Sequence, residues 1–545
     1  MVQEERHPLP VPVTQYLRCN NNLISGTMAK KIFLLVSVLL LTIGSTVYGI
    51  ENTPRKTDPG GVTTGNASDI PAASPGAPGL QEIAAAVGRN KVSINLMWVL
   101  ITGFLVMFMQ AGFAMVEAGL TRAKNAAHTI AMNFLIYPLG MLGFYVCGFA
   151  LMFGGFGAIG TLGGADALNS EYSIALGGHA FGLFGMKGFF LSGSVYDVGI
   201  LGLFLFQMVF MDTTATIPTG SLAERWKFSS FFIYGIFVGT IIYPIYGNWV
   251  WGGGWLATMG REYGLGHGHV DFAGSSVVHL TGGVLALVGA YLLGPRIGKY
   301  NKDGSANAIP GHNIVMATIG TFILAFGWFG FNSGSSLAGT DLRISVVAVN
   351  TMIASATGAI SSVLYMWLFR TKKPDPTMML NGMLAGLVAI TAPCAFVNVG
   401  GAAIIGLVAG IIVIESALFF DLRVRVDDPV GAISVHGMNG IWGCIALGLF
   451  ADGTYGDGWN GVTGTVTGLF YGGGAGQLFA QLIGVTTNLV YVGAMGWLTF
   501  KFIDKVVGNR VKSQDELIGL DIPEMGVEAY AGIKMDKNSE TPLSR

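Results

Sequence analysis

The sequence predicts an all-α integral membrane protein with eleven transmembrane helices. They form an inverted five-helix repeat plus one extra helix, with the N-terminus outside and the C-terminus inside. Three observations carry this. The 545 residues are 52% hydrophobic and only 11% charged, with a mean hydropathy of +0.58, whereas a soluble domain carries roughly 25% charge. From about residue 93, apolar runs near the ~20-residue length of a membrane span alternate with short polar loops. One local pattern also occurs twice: Asp271-x-x-Gly274-x-x-x-x-His279-x-x-x-Gly283 matches Asp428-x-x-Gly431-x-x-x-x-His436-x-x-x-Gly440, position for position.

Residues 1–27 read as a non-structural extension upstream of a start at Met28. Residues 28–49 read as a signal peptide. Lys30 and Lys31 form its basic region, Ile32 to Ile43 its apolar region, and Val47-Tyr48-Gly49 a small-residue cleavage site. That apolar run is short for a transmembrane helix. Residues 50–92, rich in Gly, Pro, Ala and Ser, read as a flexible periplasmic leader. The transmembrane domain then covers 93–503. Its spans are expected near 93–120, 127–153, 196–220, 228–250, 271–293, 312–332, 343–369, 377–396, 400–420, 433–450 and 475–500. A polar cytosolic tail covers 504–545.

Charge sets the orientation. Arg122, Lys124, Arg225, Lys227, Arg296, Lys299, Lys302, Arg370, Lys372, Lys373, Arg423 and Arg425 all fall in alternate loops, and the opposite loops carry only Lys187, Arg261 and Arg343. The basic loops are therefore cytoplasmic. In this topology the fifth span enters from outside at Asp271 and the tenth from inside at Asp428. Each histidine lies eight residues past its aspartate, about 12 Å of helix, so both reach the central zone of a ~30 Å hydrocarbon core. A site at the midplane of an inverted repeat is the expectation.

An ionisable group inside a span is costly and marks a pathway by default. Neutral imidazole both donates and accepts, and two adjacent rings can share one proton while two positive charges would repel. Asp271 and Asp428 suit helix N-caps, with Asp271 also placed to favour a cation on the outer side. Trp251 reads as an interface anchor whose indole face also attracts cations. Gly327 to Ser335 supplies further aromatics and hydroxyls, and Phe204, Phe206, Gln207 and Phe210 form an aromatic stripe on span three. His267 and His269 read as solvated loop histidines in preference to weak metal ligands. Three of the four cysteines, Cys147, Cys394 and Cys444, read as small apolar residues inside spans. The 82 glycines, many in apolar runs, allow close helix packing in lipid. No nucleotide, zinc or nucleophile-elbow motif falls in a fitting context, so no enzyme activity, cofactor, metal or catalytic residue is expected. The net charge of −1 points to no particular partner, and no nucleic acid is expected.

These residues resemble the ammonium transporter family (Amt/MEP/Rh), in its bacterial Amt form, over about 93–533. The resemblance rests on Asp271 to His279, Gly289 to Arg296, Gly327 to Ser335, Leu222-Ala223-Glu224-Arg225, Asp427-Asp428-Pro429 and Val435-His436-Gly437. It implies a homotrimer in the inner cell membrane with one narrow pore per protomer, serving nitrogen uptake. Trp251, Phe206 and Ser335 would recruit ammonium, with Asp271 supporting recruitment or deprotonation. Phe210 and Phe331 would be the stacked gate, and His279 and His436 the twin histidines of the pore. Gly519 to Tyr530 resembles the regulatory tail that couples protomers and can meet a PII-type signal protein, although Met525 and Val527 replace residues often polar there. The leader and the Trp251–Asp271 loop are longer than is usual in bacterial members. The alternatives are an ammonium sensor acting through a partner and an Rh-like channel for neutral gas.

Overall fold

The computed structural model describes residues 79–531, so the upstream extension, the signal peptide and most of the leader lie outside the described residues. Among the described residues, ten helices are long and apolar enough to cross a membrane. They are α1 (Leu80–Leu120), α2 (Ala123–Phe153), α3 (Val198–Leu222), α4 (Phe228–Tyr263), α5 (Ser275–Leu293), α6 (Ile314–Gly334), α7 (Ile344–Arg370), α9 (Val399–Val424), α10 (Ile433–Phe450) and α11 (Gly476–Val506). The eighth expected span is the shorter α8 (Pro376–Thr391).

Differences from the expected bounds have local causes. The last residues assigned to the flexible leader are helical: α1 starts at Leu80, where Glu82 accepts from the backbone of Gly79 at 2.7 Å. This is the helix-starting half of a capping box. α8 starts on Asp375, which accepts from Thr377 N and Met378 N, but ends at Thr391, short of the expected 396. The unwound chain beyond it stays inside protein, where Asn350 Nδ2 donates to the carbonyls of Cys394 and Val397 at 2.9 and 2.8 Å. Non-helical backbone at membrane depth requires such internal partners. α4 is interrupted after Val250, and its last part, Trp255–Tyr263, is a separate helix within the expected loop after Trp251. A departure from the all-helical expectation is an antiparallel hairpin in the α2–α3 connection, β1 (Glu171–Leu176) with β2 (His179–Gly185).

The helices pair as a duplicated fold would. α1 packs along α6, the first members of each half, and α5 along α10, the fifth members. Small residues set both crossings. A Cβ on Gly112 of α1 would sit 2.9 Å from Gly320 O of α6, and one on Gly320 would sit 2.7 Å from Gly112 O. The two motif glycines do the same for α5 and α10: a Cβ on Gly283 would overlap the backbone of Gly437, and one on Gly440 would stand 2.6 Å from Ser275 O. Gly283→Ala therefore forces the two histidine-bearing helices apart. The expected cost is about 1–3 kcal/mol, read as a lowered melting temperature in detergent together with weakened transport.

Large apolar side chains such as Phe134, Phe322, Phe369 and Val490 stay more than 60% exposed on the outside of the bundle, as lipid contact requires. The basic loops share one end. There Glu224 pairs with Arg122 and Arg296. Arg296 also donates to Asp427 through Nε and Nη2 at 2.8 and 2.9 Å, and Arg225, fully buried, donates to Asp427 O at 2.7 Å. Burial alone would raise the Glu224 carboxyl, but Arg296 and Arg122 outweigh it and hold the group below the ordinary glutamate range. The tail docks on this same end through α12 (Ser513–Ile518) and the residues after it. Glu516 accepts from Ile297 N at 2.7 Å and pairs with Arg510, Asp521 accepts from His128 N at 2.9 Å, and Tyr530 OH meets His312 Nε2 at 2.7 Å.

Candidate functional site: an aromatic and imidazole column through the bundle

The motif aspartates start the two histidine helices in similar ways. Asp271 accepts from the backbone N–H of Gly274, Ser275, Ser276 and Val277 at 2.7–3.0 Å, and from Ser276 Oγ at 2.7 Å. Asp428 accepts from Gly431 N, Ile433 N and Ser221 Oγ at 2.8–3.1 Å. Gly274 and Gly431 both take positive φ, +119° and +81°, which glycine adopts without strain. Each helix then opens with a π-helical turn, Ser275–Leu280 in α5 and Ile433–Met438 in α10, and each of these turns contains the histidine. Such turns concentrate at functional sites.

The two imidazoles meet. His279 Nδ1 and His436 Nδ1 are 3.2 Å apart, so with both rings neutral one nitrogen donates and the other accepts. Both are buried, and His279 Nε2 has no hydrogen-bonding partner among the described residues. His279 is stacked on Trp328 and Phe331, with centroids at 5.1 and 5.4 Å. Trp328 is itself held by donation from Nε1 to Thr391 Oγ1 at 2.9 Å.

Next to this pair, Phe331 of α6 stacks on Phe210 of α3 at 4.0 Å with planes 24° apart, both fully buried. This contact closes the column. Phe206, one turn before Phe210, packs on it at 4.7 Å, and Trp251 meets Phe210 edge-on at 6.0 Å. Trp251 and Ser335 are half-buried. The indole N–H of Trp251 donates to Asp271 O at 2.6 Å, which fixes the ring, and Ser335 Oγ donates to Phe331 O at 2.8 Å, leaving its lone pairs free. On the far side of the histidines, Phe113 lies 6.1 Å from His436. Trp251, Phe206, Phe210, Phe331, Ser335, His279 and His436 thus lie along one run of contacts. Asp271 reaches it through its carbonyl, because its carboxylate is taken up by five donors.

Two sequence readings need correction. His267 and His269 are not solvated: they are 8% and 0% exposed. His267 Nε2 meets Gly464 O at 2.9 Å, and His269 Nε2 meets Ser276 Oγ at 2.9 Å, one hydrogen bond from Asp271. The loop folds back against α11, where Gln477 and Gln481 bond the backbone around both histidines. Burial pushes the His269 ring down to about 4, against the opposing pull of Asp271. His269, Asp271 and Cys444 bring ligand-type atoms within 4.8 Å of one another, yet the Asp271 oxygens and His269 Nε2 are already bonded. The group reads as a hydrogen-bonded support for α5. Sequence reasoning held Trp328 only as part of the Gly327–Ser335 aromatic cluster, and it passed over Phe113, Glu117 and Asp212. The last two are buried acids inside spans, and an ionisable residue in an apolar run was the available signal.

The ammonium transporter family model matches residues 97–530. The chain belongs to the ammonium transporter family. It is a multi-pass membrane protein, and its function is ammonium transport. It is 46% identical to ammonium transporter Amt2 of Archaeoglobus fulgidus over 83% of this chain and 92% of that protein. Among solved structures, a sensor Amt protein matches with a TM-score of 0.68 at 35% identity, covering 80% of this chain and 99% of that one. Mep2 of Candida albicans matches with a TM-score of 0.64 at 25% identity, covering 78% and 87%.

Proposed function

We propose that this transporter recruits ammonium on the outer side by cation–π contact, removes its proton, and passes ammonia through a dry pore. The observation that carries the reading is the unbroken column from Trp251 through the Phe210–Phe331 stack to the paired imidazoles. Trp251 and Phe206 present ring faces to the cation, and Ser335 Oγ accepts from it. Asp271 supports the site by capping α5 and anchoring the indole. Phe210 and Phe331 form the gate. Beyond it, two imidazoles and aromatic walls offer too few ligand atoms to replace the hydration shell of K⁺. Ammonium escapes that penalty by shedding its proton, because a bare charge in this interior costs several kcal/mol. His279 and His436 then line the path and can carry the released proton between them. The basic loops and tail face the cytosol, the protein sits in the inner cell membrane, and it works as a homotrimer. The tail, residues 504–545, is a regulatory segment and a candidate contact for a PII-type signal protein.

Losing the indole face removes a contact worth about 0.5–2 kcal/mol. Trp251→Leu is therefore expected to weaken the apparent ammonium affinity by roughly 2- to 30-fold, read as a right-shifted concentration dependence of transport. The reading as a whole is tested with purified protein in liposomes on a solid-supported membrane, pulsed with ammonium and with K⁺ as control, while internal pH is recorded. A saturable, ammonium-selective current supports it. A pH change without current points to neutral ammonia conduction. The similarity to a sensor Amt protein favours a second reading, binding without transport, which intact binding with neither signal would support.

A further inference from the structure

Glu117 takes no part in the pathway described so far, yet it borders that pathway. It lies on α1 one turn beyond Phe113, and residues four apart on a helix share a face. Phe113 packs against His436, and a cavity of about 20 Å³ is lined by both Glu117 and His436. That volume holds one water or one ammonia. The side chain is 3% exposed, and its Oε2 accepts from Asn133 Nδ2 on α2 and Thr219 Oγ1 on α3, each at 2.7 Å. Both donors are neutral. Thr216 continues the network, donating to Asn133 Oδ1 at 2.9 Å. An acid that only tied α1, α2 and α3 together would need no cavity shared with the pore histidine. Asp428, which also lies toward this end, is committed to capping α10.

We propose that Glu117 is the inner proton carrier of the pore. The proposal rests on the transport reading above and assigns a residue to its last step. Ammonia that has passed His436 takes the proton of the neutral Glu117 carboxyl: an N–H bond forms, the O–H bond breaks, and ammonium leaves toward the basic end. The remaining carboxylate is reprotonated by the proton shed at the outer side, relayed through His279, His436 and a molecule of water in the shared cavity. One ammonium and one charge cross per cycle.

The test compares wild type with Glu117→Gln and Glu117→Asp in proteoliposomes, recording ammonium-evoked current and internal pH together. Glutamine keeps the carbonyl that Asn133 and Thr219 bond but cannot exchange a proton. The expected result is a current at least about 100-fold smaller in the Gln variant, the low end of the range for losing one acid–base group, while the ammonia-driven pH change persists. The Asp variant should retain a measurable part of the current. A Gln variant with full current overturns the proposal, and so does a folded Gln variant that loses both signals, because Glu117 would then hold the pore open without carrying charge. Should the Gln variant fail to fold, the ammonium-induced infrared difference spectrum decides. A protonated-carboxyl band in wild type that shifts in the Asp variant supports the role, and the lack of any such shift overturns it. Wild-type vesicles showing a pH change without current would remove the Glu117 role alone. Wild-type vesicles showing neither signal would remove the transport reading itself.

Discussion

Under the proposed relay, replacing His279 and His436 together by leucine abolishes the ammonium-evoked current while leaving a path for neutral ammonia. The expected fall is roughly 10²-fold or more, the scale associated with losing positioned acid–base groups. The reason lies in the contact at 3.2 Å between the two Nδ1 atoms. That contact is the polar link across a stretch otherwise walled by Phe331, Trp328 and Phe113. Leucine fills most of the ring volume but neither donates nor accepts a proton, so a charge entering this stretch meets the full desolvation cost. Single variants should be informative too. His279→Leu replaces a ring stacked on two aromatics, while His436→Leu changes the wall of the cavity next to Glu117. The measurement is current and internal pH in the same vesicles. Currents equal to wild type in the double variant would sink the relay and leave the histidines a packing role only.

Glu224→Ala is the substitution expected to cost the most stability. Its carboxylate is fully buried and bridges Arg122 and Arg296, which link the α1–α2, α3–α4 and α5–α6 connections. Removing one partner of a buried ion pair leaves uncompensated charge, typically at 3–5 kcal/mol. Here two guanidinium groups lose a common partner, with Asp427 left to hold Arg296. The residue also sits at φ +71°, so alanine inherits the left-handed backbone as well. The outcome should be a much lower melting temperature and poor recovery of folded protein in detergent. The same group sets a sign for pH. Its folded-state pKa lies below the ordinary value of 4.5. Its contribution is therefore fully present above that value and is lost as pH falls through the folded one. Acid should thus unfold wild type at a pH where Glu224→Gln, already destabilised, shows a weaker dependence. Melting curves for the two proteins at neutral and acidic pH would check this, and identical slopes would count against it.

Much of the site was legible in the chain because membrane proteins make their sequence rules strict. An uninterrupted helix is needed where lipid offers no hydrogen bonds, so apolar length located the spans. The doubled Asp-Gly-His-Gly pattern located the centre, because each of its members has a local job. The aspartates bind the first N–H groups of their helices, Gly274 and Gly431 take positive φ, and Gly283 and Gly440 permit the close crossing that lets the rings meet. These are short-range demands, written within thirteen consecutive residues.

What the sequence could not decide depends on which residues face one another across the bundle. The pairing of Nδ1 with Nδ1, the stacking of Trp328 on His279, and the cavity shared by Glu117 and His436 each join different helices. His269 looked like a loop residue because its polarity and glycine neighbours fit a solvated turn. Only the folding of that loop onto Gln477 and Gln481 of α11 buries it. Asp271 could be read as a cap or as a site for a cation, and the five donors around its carboxylate favour the cap. By itself the sequence determined the class, the helices and the twin histidines, because hydrophobic length and backbone geometry act locally. The tertiary structure alone decided which side chains touch, because contact in a close-packed bundle is set by partners far apart in the chain.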